Sequence, residues 1–203
     1  QDMLASPMTL VYPSCVSFAK DNSYYYLAYT DNYNPVTYIK RCSSFVSNGT
    51  SFQDAGMTIA GYLPVSLRLV VDNGTPYIAF YAANSIYVYK YQGSAWSQCG
   101  SSFTGSSTLQ TLGFDVYNGV PYVSYREDAP SRAVIKKYVG GVWQYVLTNP
   151  SFWDIPAIKF GADGSLYALI NNFLSQKLGF YKLTTQGATT TAIENISAQC
   201  SYG

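Results

Sequence analysis

The sequence predicts an all-β protein: a four-bladed β-propeller of four-stranded antiparallel blades, with an extra strand-like segment at its N-terminus. Three observations lead there. First, one phrase recurs four times, as VSFAKDNSYYYLAY from Val16, LRLVVDNGTPYIAF from Leu67, LGFDVYNGVPYVSY from Leu112 and IKFGADGSLYALI from Ile158. A repeat of about 40–50 residues built from short strands marks propeller blades, because one blade cannot cover its own two faces and stacks on its neighbours. Second, apolar residues alternate within each copy, the period of a strand rather than a helix. Third, 17% of the chain is aromatic, with 21 tyrosines, which supplies large rings for packing between blades.

The elements follow in order. Residues 1–15 precede the repeats, yet Met8, Leu10 and Tyr12 alternate with Thr9 and Val11 as a short strand would. In each blade the first strand carries Phe18, Leu69, Phe114 or Phe160 at one position, and an Asn/Asp/Gly turn follows. The second strand places Tyr26, Tyr77, Tyr122 or Tyr167 at a fixed point. The third carries Lys40, Lys90, Lys137 or Lys182, read as outward positions whose stems cover apolar surface. A glycine turn at Gly49, Gly93, Gly140 or Gly187 then leads to Phe52, Trp96, Trp143 or Thr190 in the fourth strand. The blades run from about 16–66, 67–111, 112–157 and 158–203.

This pattern resembles that of the broad β-propeller superfamily, in the manner of kelch-like or hemopexin-like repeats. The resemblance covers Val16 to Gly203 through the segments VDNGTPY and VYNGVPY, the second-strand tyrosines and the aromatic after the glycine turn. No diagnostic family motif recurs from copy to copy: neither the Trp-Asp of WD40 blades, the double glycine of kelch blades nor the Ser-x-Asp-x-Gly-x-x-Trp box of sialidases. The resemblance therefore implies a fold and no particular function.

Charge narrows the partners. With 11% charged residues and a formal net charge of +1, the chain gives no electrostatic reason to expect nucleic acid. Its apolar runs are strand-sized, so no membrane insertion is expected. Four cysteines and three sequons, at Asn48, Asn73 and Asn195, predict a secreted, extracellular glycoprotein. Closing a ring brings Cys15 near Cys200, the expected disulfide that locks first blade to last; Cys42 with Cys99 is the remaining pair.

Chemistry is thinly represented. The chain has no histidine, which removes the commonest general base and the triads built on it. No spacing suggests a metal site or a cofactor loop, so none is expected, and several acidic residues, Asp21, Asp72 and Asp163, sit where turns want them. Glu127 and Asp128, in the segment YREDAPSRA, form the one adjacent acidic pair. Two non-catalytic readings remain. In one, the protein is an extracellular structural module that associates with copies of itself, its N-terminal strand with Met8, Leu10 and Tyr12 pairing with an exposed edge of a neighbour. In the other, it is a lectin-like propeller that binds glycans, with Tyr24, Tyr25, Tyr33, Trp96 and Trp143 as stacking platforms. The loops between second and third strands differ among the copies, which favours one asymmetric partner over equivalent sugar pockets.

Overall fold

The computed structural model describes residues 13–31, 33, 35–43, 53–106, 111–172, 177–186 and 189–195. Met8, Leu10, Tyr12, Asn48 and Cys200 lie outside the described residues. Among those described there is no helix, and seventeen strands form four antiparallel sheets. Sheet 1 holds β1 (Pro13–Lys20), β2 (Tyr25–Asp31), β3 (Val36–Cys42) and β4 (Gln53–Ala60). Sheet 2 holds β5 (Ser66–Asp72), β6 (Thr75–Ala82), β7 (Ser85–Gln92), β8 (Ala95–Gln98) and β9 (Phe103–Thr104). Sheet 3 holds β10 (Gly113–Tyr117), β11 (Val120–Asp128), β12 (Ser131–Val139) and β13 (Val142–Asn149). Sheet 4 holds β14 (Phe152–Phe160), β15 (Leu166–Asn172), β16 (Lys177–Gln186) and β17 (Thr189–Asn195). Each sheet is a meander in sequence order.

The hairpins obey local chemistry. Asn73-Gly74 and Asn118-Gly119 both have positive φ at each residue, the two-residue turn whose twist matches the strands it joins. Gly100 (φ +68) interrupts the outer strand of sheet 2, so that β8 and β9 share one edge of β7 where a single strand was expected. A side chain at Gly100 would also strike the ring of Tyr138. Sheets 1 and 4 each begin earlier than the repeats suggested. Pro13 already pairs with Asp31, and β14 starts at Phe152, its alternation hidden by irregularities between Phe152 and Ala157 beside Pro156.

Three apolar layers hold consecutive sheets together. Tyr26, Ala28, Ile39, Leu67, Leu69, Ile78 and Phe80 fill the first; Tyr77, Val88, Phe114, Val123 and Tyr125 the second; Tyr122, Ile135, Ile155, Ile158, Leu166 and Leu183 the third. The repeated tyrosine thus has one job: Tyr26, Tyr77 and Tyr122 each enter the layer shared with the following sheet. Lys90 and Lys137 lie on that same side, Lys90 over Tyr77 at 5.5 Å and Lys137 buried, which corrects the outward reading for these two. Lys182 sits over Tyr167 at 5.7 Å on the outer face of sheet 4. In sheet 1 the residue opposite the tyrosine is Arg41 and not Lys40.

The first strand of a sheet leaves edge N–H groups that need partners. Ser17 Oγ accepts from Leu69 N at 2.9 Å, and Asp115 Oδ2 accepts from Phe160 N at 2.6 Å. Leu69 and Phe160 occupy the same repeat position, so a side chain from the preceding sheet answers the same backbone group twice.

No disulfide is present among the described residues. The Cys15 thiol donates to the Pro64 carbonyl at 3.2 Å. Cys42 and Cys99 are separate buried thiols, so the expected bridge between them is not formed. The reason is placement: Cys42 ends β3 in sheet 1, while Cys99 belongs to the layer between sheets 2 and 3. Burial raises both thiol pKa values, that of Cys99 to about 11 despite the lowering effect of Lys90.

Candidate functional site

Between sheets 2 and 3 lies a cavity of about 520 Å³, lined by Asn84, Phe103, Thr104, Gly105, Glu127, Asp128, Ala129, Arg132, Lys136 and Tyr145. Its size falls within the ordinary range for small-ligand sites. The break in the outer strand of sheet 2 builds one wall, because β9 delivers Phe103 and the following residues turn toward sheet 3. Ser106 N donates to Arg126 O at 2.9 Å, and Ser106 Oγ donates to Asp128 Oδ1 at 2.5 Å. The β11–β12 hairpin, which turns at a cis Ala129-Pro130 bond, brings Glu127 opposite Arg132 in register.

Glu127 is the hub. Its Oε1 accepts from the Tyr125 hydroxyl at 2.7 Å and the Tyr145 hydroxyl at 2.9 Å. Its Oε2 receives Arg132 Nε at 2.8 Å and Nη2 at 2.7 Å, and Lys136 Nζ stands 3.6 Å from Oε1. Burial works to raise its pKa, but the bonds from Tyr125, Arg132 and Tyr145 and the charge of Lys136 outweigh it and hold the carboxyl below its usual value. The side chain is 14% exposed and stays ionised, a fixed anion rather than a proton donor.

Lys136 points into a cage of rings, 4.4 Å from the centroid of Tyr145, 4.7 Å from Phe103 and 5.5 Å from Tyr125. Burial lowers its pKa, against the opposing pull of Glu127. The second and fourth copies carry Tyr89 and Tyr181 where Lys136 stands and the first carries Lys40, as the pairing with Ile78, Ala168, Leu27 and Val123 shows, so the position alternates between a ring and an ammonium. What distinguishes Lys136 is its cage, and Phe103 and Tyr145 enter it from other strands, where no alignment of the copies shows them.

A second polar cluster lies between sheets 3 and 4. Arg126 stacks over Trp153 at 4.0 Å, Thr111 Oγ1 donates to Asp154 Oδ2 at 3.2 Å, and Asp154 Oδ1 and Arg126 Nε are buried without a hydrogen-bond partner. Burial raises the Asp154 pKa.

The sequence-predicted residues are scattered. Tyr24 stacks under Arg41, Tyr25 packs on Phe18, and Trp96 packs on Tyr91. Tyr33 is 70% exposed, away from the cavity lining. Trp143 supports the site from behind: it packs on Phe103 and donates Nε1 to Cys99 O at 2.9 Å. Asn73 occupies an exposed turn, with Nδ2 on Asp72 Oδ2 at 3.3 Å, and Asn195 ends β17 with its side chain outside the described residues. Among the described residues no group of three or more His, Cys, Asp or Glu side chains is arranged to hold a metal.

No family model and no curated protein sequence matches the chain. Solved structures do resemble it. A candidate 6-phosphogluconolactonase from Bacteroides uniformis matches 91% of the chain at a TM-score of 0.54 and 18% identity. The Aleuria aurantia lectin, in a complex with α-methyl-L-fucoside, matches 90% at 0.57 and 11% identity. A β-1,3-galactosidase of family GH43 matches 87% at 0.52 and 8% identity. The chain spans 53%, 61% and 73% of those proteins' lengths, respectively. At such identities the likeness concerns the fold alone: four antiparallel sheets that match parts of β-propeller structures.

Proposed function

We propose that this chain is a non-catalytic binding module that holds a saccharide in the cavity between sheets 2 and 3. The observation that carries the reading is the pairing of an aromatic wall, Phe103 and Tyr145, with the preset Arg132–Glu127 ion pair. Sugar rings offer apolar C–H faces to aromatics and hydroxyl oxygens to fixed donors, and rigid groups of both kinds lower the ordering cost of binding. The saturated, ionised Glu127 supports binding over acid catalysis, which needs a carboxyl that carries a proton near neutral pH. The Aleuria lectin holds a methyl fucoside on a fold of this class. A glycan array probed with the wild type and with Phe103→Ala tests the reading. Binding to a defined glycan class is expected, weakened at least about tenfold in the variant; a silent array, or equal binding by both proteins, sinks it.

A second reading concerns assembly, and the outer faces of the end sheets favour it. Val16 (53% exposed) and Phe18 (52%) share the face of sheet 1 that points away from sheet 2, and Leu178 (59%) lies on the face of sheet 4 that points away from sheet 3. Tyr167 occupies that outer face, in the role that Tyr26, Tyr77 and Tyr122 play inside. We infer that the four blades join head to tail with another copy, sheet 4 of one on sheet 1 of the next, in place of closing a ring of four within one chain.

A further inference from the structure

We propose that the saccharide is acidic, with its carboxylate against Lys136 Nζ and the outer edge of the Arg132 guanidinium; this rests on the saccharide reading of the same cavity. Charge and hydrogen-bond donors at the cavity both favour an anion. Arg132 and Lys136 share one counter-ion, Glu127, whose oxygens already receive two hydroxyls and two guanidinium N–H groups. Asp128 also lines the cavity; its Oδ1 takes the Ser106 hydroxyl and lies 4.0 Å from Arg126 Nε, on the side of the hairpin away from Glu127's partners in register. The four charged side chains that line the cavity, Glu127, Asp128, Arg132 and Lys136, sum to zero, and the positive surplus is local to Arg132 and Lys136, which face the single carboxylate of Glu127.

The donor count points the same way. After Glu127 and Tyr145 are served, Arg132 retains N–H groups on Nη1, and Lys136 retains N–H groups beyond its single approach to Glu127 at 3.6 Å. Asn84, also in the lining, accepts the Tyr81 hydroxyl on Oδ1 and brings an amide group that donates. Glu127, by contrast, has its acceptor sites filled. A ligand that accepts strongly fits this set, and a carboxylate accepts most strongly in its charged form. The rings of Phe103, Tyr125 and Tyr145 replace much of the water around the Lys136 ammonium, so an incoming anion meets a cation already partly stripped of solvent. A neutral sugar would fill the volume and leave that charge unanswered.

The experiment compares calorimetric titrations of the full chain with trigalacturonic acid, its methyl ester, a neutral galactose trisaccharide and inorganic phosphate, at low and high salt. The acid is expected to bind at least about tenfold more tightly than the ester, with an advantage that shrinks as salt rises. Lys136→Met fills the aromatic cage with similar volume and should remove the preference while keeping ester binding. Arg132→Lys, which keeps charge and loses the fork, guards against a folding artefact in the first variant; it should weaken the acid and leave its salt dependence. Equal binding of acid and ester overturns the acidic inference and spares the saccharide reading. Phosphate binding as tight as the acid's shows a bare anion site and overturns it too. No binding of any sugar removes both.

Discussion

Two partly buried carboxylates, Glu127 and Asp154, sit in opposite electrostatic settings, and the contrast shapes how stability responds to pH. The folded-state pKa of Glu127 is depressed, so its contribution is present above the unfolded value of about 4.3 and disappears as pH falls through the folded value. The folded-state pKa of Asp154 is raised by burial, with Oδ1 lacking a partner. Its protonated form favours the native state, so stability drops as pH climbs from the unfolded value of about 3.9 through the folded one. Thermal melts between pH 3 and pH 8 should separate the two. Glu127→Gln is expected to flatten the acid limb and lower stability at neutral pH. Asp154→Asn is expected to raise stability at pH 7 by roughly 1 kcal/mol, since it removes an ill-matched buried charge. A loss of stability in Asp154→Asn would show that Arg126 compensates the carboxylate better than its geometry suggests.

At the scale of elements, a close approach between sheets 3 and 4 depends on a residue without a side chain. A Cβ on Gly113 in β10 would overlap Ser124 Oγ and come within 3.2 Å of the backbone at Ile155 and Ile158. The Ser124 hydroxyl donates to Ile155 O at 2.7 Å, so it cannot swing away without orphaning that carbonyl. Gly113→Ala should therefore cost about 2 kcal/mol and lower the Tm by about 6 °C, against little change for Gly140→Ala beyond the strain of its turn. Equal losses in the two would remove the packing argument. The sequence revealed the strands and the Asn-Gly hairpins because period-two alternation and positive φ are local properties. It hid the start of β14, where Pro156 and the irregularities around it break the alternation. It also hid the cavity, for Lys136 reads as one residue of an apolar strand until Phe103 and Tyr145 arrive from other strands. Glu127 was visible as half of an acidic pair, and only the fold shows that its partners are Arg132 and two tyrosines.

At the scale of the whole molecule, each internal layer is built the same way: the fixed tyrosine of one sheet meets the first strand of the next. Carried one step further, the proposed assembly would set Tyr167 and its stacked neighbour Phe180, with Leu178, against Val16, Phe18 and the Tyr29–Tyr38 stack of another copy. Such a contact is heterologous, so it closes into a ring of several chains or runs on as a filament. The edge-pairing strand expected at Met8, Leu10 and Tyr12 is a different route to assembly, and the two are separable. Light scattering on the wild type should find a species larger than one chain. Phe18→Asp buries a charge in the proposed interface and should weaken association by about 2 kcal/mol, roughly 30-fold, while the melting profile of the isolated chain stays cooperative. Removing residues 1–12 should leave association intact if the sheet faces carry it and abolish it if the donated strand does. A wild type that stays a single chain at high concentration, with Phe18→Asp unfolding it, would mean that these faces are covered within one molecule and that the chain closes its own ring.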